Sequence, residues 1–232
     1  ISGSLLAYHY VATHALSHHP QPRGTLLRPA SSLTAQPTIA PTEPPVAWQS
    51  LPALSSVEAD NTALYVQVQG QAFIYLSGGF RGAQATPNYS QGLYRYNIVG
   101  ASWEKVNVAN FPGMGNNAAA LDEQGNLFFT GGYSPDLGAV SAHIYQYQPA
   151  GNTLHSIYVP SQLSLGFGGS MLADQQGHLY LSEGFLTPGD PSVQAGSGWY
   201  RYDIATGLWH TLASLPLDAG YVQLVQDSAG DI

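Results

Sequence analysis

Gly92-Leu93-Tyr94-Arg95-Tyr96-Asn97-Ile98-Val99-Gly100-Ala101-Ser102-Trp103 recurs twice more without a gap, as His143 to Leu154 and as Gly198 to Trp209. The third positions are Tyr94, Tyr145 and Tyr200, the fifth Tyr96, Tyr147 and Tyr202, and the last Trp103, Leu154 and Trp209. Tyrosines at i and i+2 put both rings on one face of a strand, with Arg95, Gln146 and Arg201 on the other. The polar stretch around Gly100, Gly151 or Gly207 predicts a turn into a further strand.

Upstream of each window stands a second shared element: Tyr75-Leu76-Ser77-Gly78-Gly79, Phe128-Phe129-Thr130-Gly131-Gly132 and Tyr180-Leu181-Ser182-Glu183-Gly184. Each predicts a strand that ends at a glycine pair. Ahead of it comes an Asp with Gly three residues on, at Asp122 and Gly125, Asp174 and Gly177, and Asp227 and Gly230; the first copy has only Gly70 there. The order is strand, turn, strand, glycine pair, long loop, Tyr-x-Tyr strand, turn, strand. Small residues such as Ala118-Ala119-Ala120 suit the innermost strand, where repeats crowd, and the glycines suit a bend where a side chain would strike the next repeat.

A four-stranded antiparallel unit of about 50 residues with Gly-Gly, Tyr and Trp in that order resembles the Kelch repeat, a blade of a β-propeller. The resemblance covers residues 46–232 and implies an all-β chain with about three four-stranded blades, a shared outer strand around Trp48 and the start of a fourth blade. Six or seven such blades need roughly 320 to 370 residues, so the resemblance implies a propeller incomplete over this stretch. Glu183 in place of glycine, Leu154 in place of tryptophan and the altered first turn are its departures from the pattern.

The remaining chain reads differently. Residues 1–19 open with an uncharged, apolar-toned stretch, ISGSLLAYHYVATHAL over 1–16. It is too short to cross a bilayer alone and reads either as the outer end of a membrane anchor or as an ordinary tail or packed helix. Residues 20–45 hold seven of the 16 prolines and form a Pro/Ser/Thr-rich linker. A stalk of this kind beside an apolar N-terminus is the layout of an extracytoplasmic, membrane-anchored or secreted protein, with membrane contact through 1–16.

Composition narrows function. The net charge of −8, with six scattered Lys and Arg, argues against nucleic acid, which needs clustered basic residues. With no cysteine in 232 residues there is no disulfide framework, thiolate zinc site or cysteine nucleophile here. No cofactor motif is present, the Asp-x-x-Gly pairs read as plain turns, and His9, His14, His18 and His19 lie in a tail poorly suited to a metal site.

In an up-and-down blade the loops after the second strand and between blades emerge on one face: 80–91, 133–142, 185–197 and about 107–117, 160–168 and 213–220. Long, dissimilar loops form the expected binding surface. Arg81, Asn88, Tyr89, Asn116, Asn117, Tyr133, Asp136, Glu183 and Asp190 are the candidate residues there, with Phe167 and Tyr221 beside them. Their uncharged-polar and aromatic character suits a protein or neutral glycan ligand. Glu183 reads as an acid/base, a ligand contact or drift. The leading expectation is a non-catalytic binding module or an accessory subunit of an envelope assembly. The family also includes copper radical oxidases acting on galactose, whose cross-linked Tyr–Cys has no counterpart here, and a sialic acid mutarotase, for which Glu183 and Arg81 are the available charges.

Overall fold

The computed structural model describes residues 49–55, 59–81, 88–90, 92–134, 139–163, 165–186 and 195–232. All belong to one compact unit, Gln49–Ile232. The expected anchor remnant over 1–19, the linker over 20–45 and Trp48 lie outside the described residues, as do Asp136 and Asp190.

Among the described residues the chain is all-β and forms three antiparallel sheets in sequence order. The first contains β1 (Ala59–Val68), β2 (Gln71–Arg81), β4 (Leu93–Asn97) and β5 (Ser102–Val106), with the short β3 (Asn88–Tyr89) also on β2. The second contains β6 (Gly115–Leu121), β7 (Leu127–Ser134), β9 (His143–Gln148) and β10 (Thr153–Tyr158), with β8 (Ala139–Val140) on β7. The third is β11 (Met171–Ala173), β12 (His178–Phe185), β13 (Ala195–Asp203) and β14 (Leu208–Thr211).

The sequence windows coincide in register. Tyr96 lies opposite Trp103, Tyr147 opposite Leu154, and Tyr202 opposite Trp209. Where tryptophan is present the rings meet at 5.1 Å and 4.9 Å between centroids, a cross-strand aromatic pairing of the kind that stabilises a sheet. Alternation then builds a core between each pair of sheets. Leu127, Phe129 and Tyr147 of the second sheet join Val66, Phe73, Tyr75 and Leu93 of the first. Ala118, Ala120, Phe128 and Ile144 on its other face join Leu179, Leu181, Tyr200 and Tyr202 of the third. A sheet covered on both faces explains the unbroken apolar run Leu127-Phe128-Phe129, whereas β12 alternates His178, Leu179, Tyr180, Leu181.

The outer strand expected around Trp48 is to pair with a strand late in the full chain or in a neighbour; residues 49–52 form no β-ladder among the described residues, and Pro52 accepts a 2.9 Å hydrogen bond from Trp103 Nε1. Two sequence expectations change. Arg81, Asn88 and Tyr89 are strand residues rather than loop residues, because Phe80 pairs with Tyr89 and Arg81 with Asn88. Finally, the glycine pairs do not all face the next repeat. A Cβ on Gly78 would strike Asn117 and Met114 of the second sheet, but on Gly132 or Gly184 it would strike the inner strand of its own sheet.

The first turn also acquires a reason. Val68 pairs directly with Gln71, and Gln69 and Gly70 both have positive φ, so the first sheet uses a two-residue hairpin turn. The later sheets use a buried aspartate. Asp122 Oδ1 accepts the N–H of Asn126, and Asp174 Oδ1 accepts those of Gln176 and His178. Burial pushes the Asp174 carboxyl up, but the His178 ring and these two backbone donors outweigh it and hold the pKa below the ordinary value.

Two predictions follow from packing. Gly184 has φ +77°, and a Cβ there would fall 2.5 Å from Gly169 N and Phe167 O; Gly177 has φ +85° with nothing within 4 Å. Gly177→Ala should therefore cost about 1–2 kcal/mol from φ alone, and Gly184→Ala more than about 3 kcal/mol, read from urea midpoints. The second concerns Tyr147, which is buried and whose pKa rises to about 12, first through burial and then through the Tyr75 phenol. The fold favours the neutral phenol. This contribution is complete below the unfolded value near 10 and is lost as pH rises from about 10 to about 12, a difference of about 3 kcal/mol. Tyr147→Phe, which loses a 3.0 Å hydrogen bond to Asn152, should be about 1 kcal/mol less stable at pH 8 yet show a shallower alkaline loss in pH-dependent denaturation.

Candidate functional site

The innermost strands β1, β6 and β11 all begin at the same end of the assembly, because each faces the far end of the second strand of its sheet. Ala59 pairs with Phe80, Gly115 with Tyr133, and Phe167 with Phe185. One residue further in, each sheet does the same unusual thing. Asp60, Asn116 and Gly168 have φ of 57°, 55° and 65°, and the residues facing them, Gly79, Gly132 and Gly184, have φ of 98°, 74° and 77°. Two left-handed residues opposite one another bend both strands at one point. On the second strand only glycine fits, since a Cβ on Gly132 or Gly184 meets opposing backbone within 3 Å.

A fourth copy of the bend follows β14. Tyr221 stands six residues before Asp227, as Asn116 does before Asp122 and Gly168 before Asp174, and its φ is 54°. The Asp227 turn is closed as in the second and third sheets, with Asp227 Oδ1 accepting the N–H of Ala229 and Asp231. Backbone bonds join successive copies. Gly168 N–H donates to Asn116 O at 2.9 Å, and Tyr221 N–H to Gly168 O at 2.6 Å. A bulky side chain in the left-handed region stores about 1–3 kcal/mol of strain.

These four positions enclose a cleft of about 280 Å³ lined by Asp60, Asn61, Thr62, Asn116, Asn117, Gly168, Gly169, Tyr221 and Val222. A second cavity of about 210 Å³ shares Thr62, Asn117, Gly169 and Val222 with it and runs on between the inner strands past Leu64, Ala118 and Met171. Asn117 is fixed: its side-chain amide nitrogen donates to Ser77 Oγ at 3.2 Å and its backbone carbonyl accepts from Thr62 Oγ1 at 2.6 Å. Among the described residues, Asp60 and Tyr221 are the ionisable side chains on the cleft wall. Beside it Tyr221 packs on Phe185 (5.6 Å between centroids), and Phe185 stacks on Phe167 (5.4 Å, 28° between planes).

Of the residues singled out from sequence, Asn116 and Asn117 line this cleft. Tyr133 and the strand ends at Arg81, Asn88 and Tyr89 lie at the same end of the sheets. Asp60, Asn61, Thr62, Gly168 and Gly169 were missed. The first copy lacks the turn aspartate that aligns the others; counting six residues back from Asp122, Asp174 and Asp227 finds three of the four bends.

Glu183 has a structural explanation. In the first two sheets the N–H that opens the Tyr-x-Tyr strand, at Gly92 or His143, donates to the hydroxyl of Ser90 or Ser141, two residues upstream, at 3.3 Å. The third sheet has Gly196 at the serine position, and Gly198 N–H donates instead to Glu183 Oε2 at 2.7 Å. A Cβ on Gly196 would fall 2.1 Å from the Glu183 carboxyl carbon, so the carboxylate occupies the space left by the missing serine side chain. Two residues of β13, Ser197 and Gly198, oppose Glu183 alone, which places the exchange at a bulge. Glu183→Ala should cost about 1.5–3 kcal/mol, and the double change Glu183→Gly with Gly196→Ser, which copies the other two sheets, should recover most of it in thermal denaturation.

Among the described residues no group of three His, Asp or Glu side chains is placed to hold a metal ion. No protein-family model matches the chain and no curated protein does. The solved structure of YjhT is similar to it over 75% of this chain and 57% of that one, at 14% identity with a TM-score of 0.57. The likeness establishes a propeller-like β fold, and the chain spans 57% of the length of YjhT.

Proposed function

We propose that these sheets are blades of a Kelch-type β-propeller acting as a non-catalytic binding module for a protein or glycan. The ligand docks on the face where the inner strands begin, with the axial cleft at its centre. One observation carries this reading: four successive repeats hold left-handed residues at equivalent positions around one cleft, three of them with side chains. Backbone strain held at a cleft is a feature of binding sites. The opposite end carries compact turns closed by Asp122 and Asp174, whose side chains are buried and internally bonded.

The apolar 1–16 stretch and the Pro-rich 20–45 stretch suit display outside the cytoplasm on a membrane-anchored stalk or as an accessory subunit of an envelope assembly. A sugar-active enzyme is the weaker reading, because the carboxylate on which it most depended, Glu183, is committed to Gly198.

The test is a charge inserted on each face. Wild type, Asn116→Arg and Gln124→Arg would be applied to a printed panel of neutral glycans and to a library of extracellular proteins. The binding signal should fall about tenfold or more for Asn116→Arg and stay unchanged for Gln124→Arg. Loss with Gln124→Arg alone would move the binding surface to the short-turn face.

A further inference from the structure

We infer that the axial cleft takes a single neutral pyranose ring, stacked on Tyr221, with its hydroxyls held by Asp60, Asn61 and Asn116. This rests on the binding reading above and names the chemistry of its ligand.

The argument begins with Tyr221, which is 66% exposed although its backbone is left-handed. Its ring is held in place. Ring atoms lie 3.1–3.3 Å from where a Cβ on Gly168 would stand, so only glycine at 168 lets the ring lie this close to the backbone. Phe185, itself stacked on Phe167, supports it from the side. The result is a rigid aromatic shelf at the rim of a polar cleft. A flat, amphipathic partner with apolar C–H faces and hydroxyl edges matches both surfaces; a pyranose has this shape.

Charge selects among sugars. Among the described residues no lysine, arginine or histidine lines the cleft, and the Asp60 carboxylate does. An anionic sugar or a phosphate would meet repulsion from that carboxylate. A carboxylate with two side-chain amides instead offers acceptors and donors for a pair of neighbouring neutral hydroxyls. The volume, about 280 Å³, lies just below the usual range of small-molecule sites and suits one ring. The cleft therefore receives the terminal residue of a glycan rather than threading its chain.

Saturation-transfer NMR on the full chain would use the methyl glycosides of glucose, galactose, mannose and N-acetylglucosamine, with N-acetylneuraminic acid and glucose 6-phosphate as anionic probes. Transfer to the ring C–H protons of at least one neutral glycoside, and none to the anionic probes, is expected. Gln124→Arg, at the opposite end, should bind as wild type, while Tyr221→Leu, which keeps an apolar side chain without the ring, and Asp60→Asn should each weaken binding about tenfold. Circular dichroism would check that each variant is folded. Tighter binding of an anionic probe, or unchanged binding by folded Tyr221→Leu, overturns the inference. Silence toward every sugar, with a protein ligand lost on Asn116→Arg, overturns the sugar class and leaves the binding reading standing. Silence toward sugars and proteins alike overturns both.

Discussion

Everything distinctive about this molecule depends on a steric constraint one residue wide. Where the first two strands of each sheet part company, two left-handed residues face each other, and the one on the second strand has no room for a Cβ. Gly132 and Gly184 meet opposing backbone within 3 Å of that missing atom. The facing residue varies: Asp60 and Asn116 line the cleft, while at Gly168 a Cβ would crowd the Tyr221 ring. The constraint thus separates a position that the fold dictates from one that function can use. Asp and Asn bear the left-handed conformation better than most residues, and they also supply polar groups to the cleft.

Around that bend, packing follows from alternation. The second sheet has apolar residues on both faces because both are covered, and Phe128 and Phe129 belong to different cores. The third sheet differs between its two faces. Leu179 and Leu181 point to the second sheet, while His178, Tyr180, Arg201, Asp203 and His210 line the other side. His178 lies between Asp174 (2.8 Å) and Asp203 (3.5 Å), Asp203 also reaches His210 (3.1 Å), and Arg201 Nε stands 3.0 Å from Asp203 Oδ1. The first sheet carries the related Arg95–Glu104 pair, with Arg95 over the Phe73 ring and bonded to the Tyr75 hydroxyl. There the second sheet packs against it, Tyr147 on Tyr75 at 6.1 Å between centroids. Such pairs, partly exposed, add little stability.

Much of the fold was legible in the sequence because it repeats. Three gapless windows placed Tyr96, Tyr147 and Tyr202 against their partners in correct register, and the Asp-x-x-Gly spacing located the turns. The contact of Pro52 with the Trp103 side chain joins segments 51 residues apart and has no local signature in the sequence. The site was only half legible. Asn116, Asn117 and Tyr221 were named from the loops they belong to, but Asp60 joins them through backbone conformation, in the one copy that lacks the turn aspartate. Glu183 looked chemical because it broke a pattern. The compensation sits thirteen positions downstream of Glu183, in a loss of serine at Gly196, and only the register across β13 connects the two.

The central claim is that equivalent left-handed residues from successive repeats are tied to one another around a single cleft. Native-state amide hydrogen exchange at Gly168 and Tyr221 tests it most directly, because their N–H groups make the bonds that join the copies. The account predicts protection of both amides comparable to that of β7 and β12, even though neither residue lies in a regular strand. Exchange of both at the rate of an open coil would contradict it.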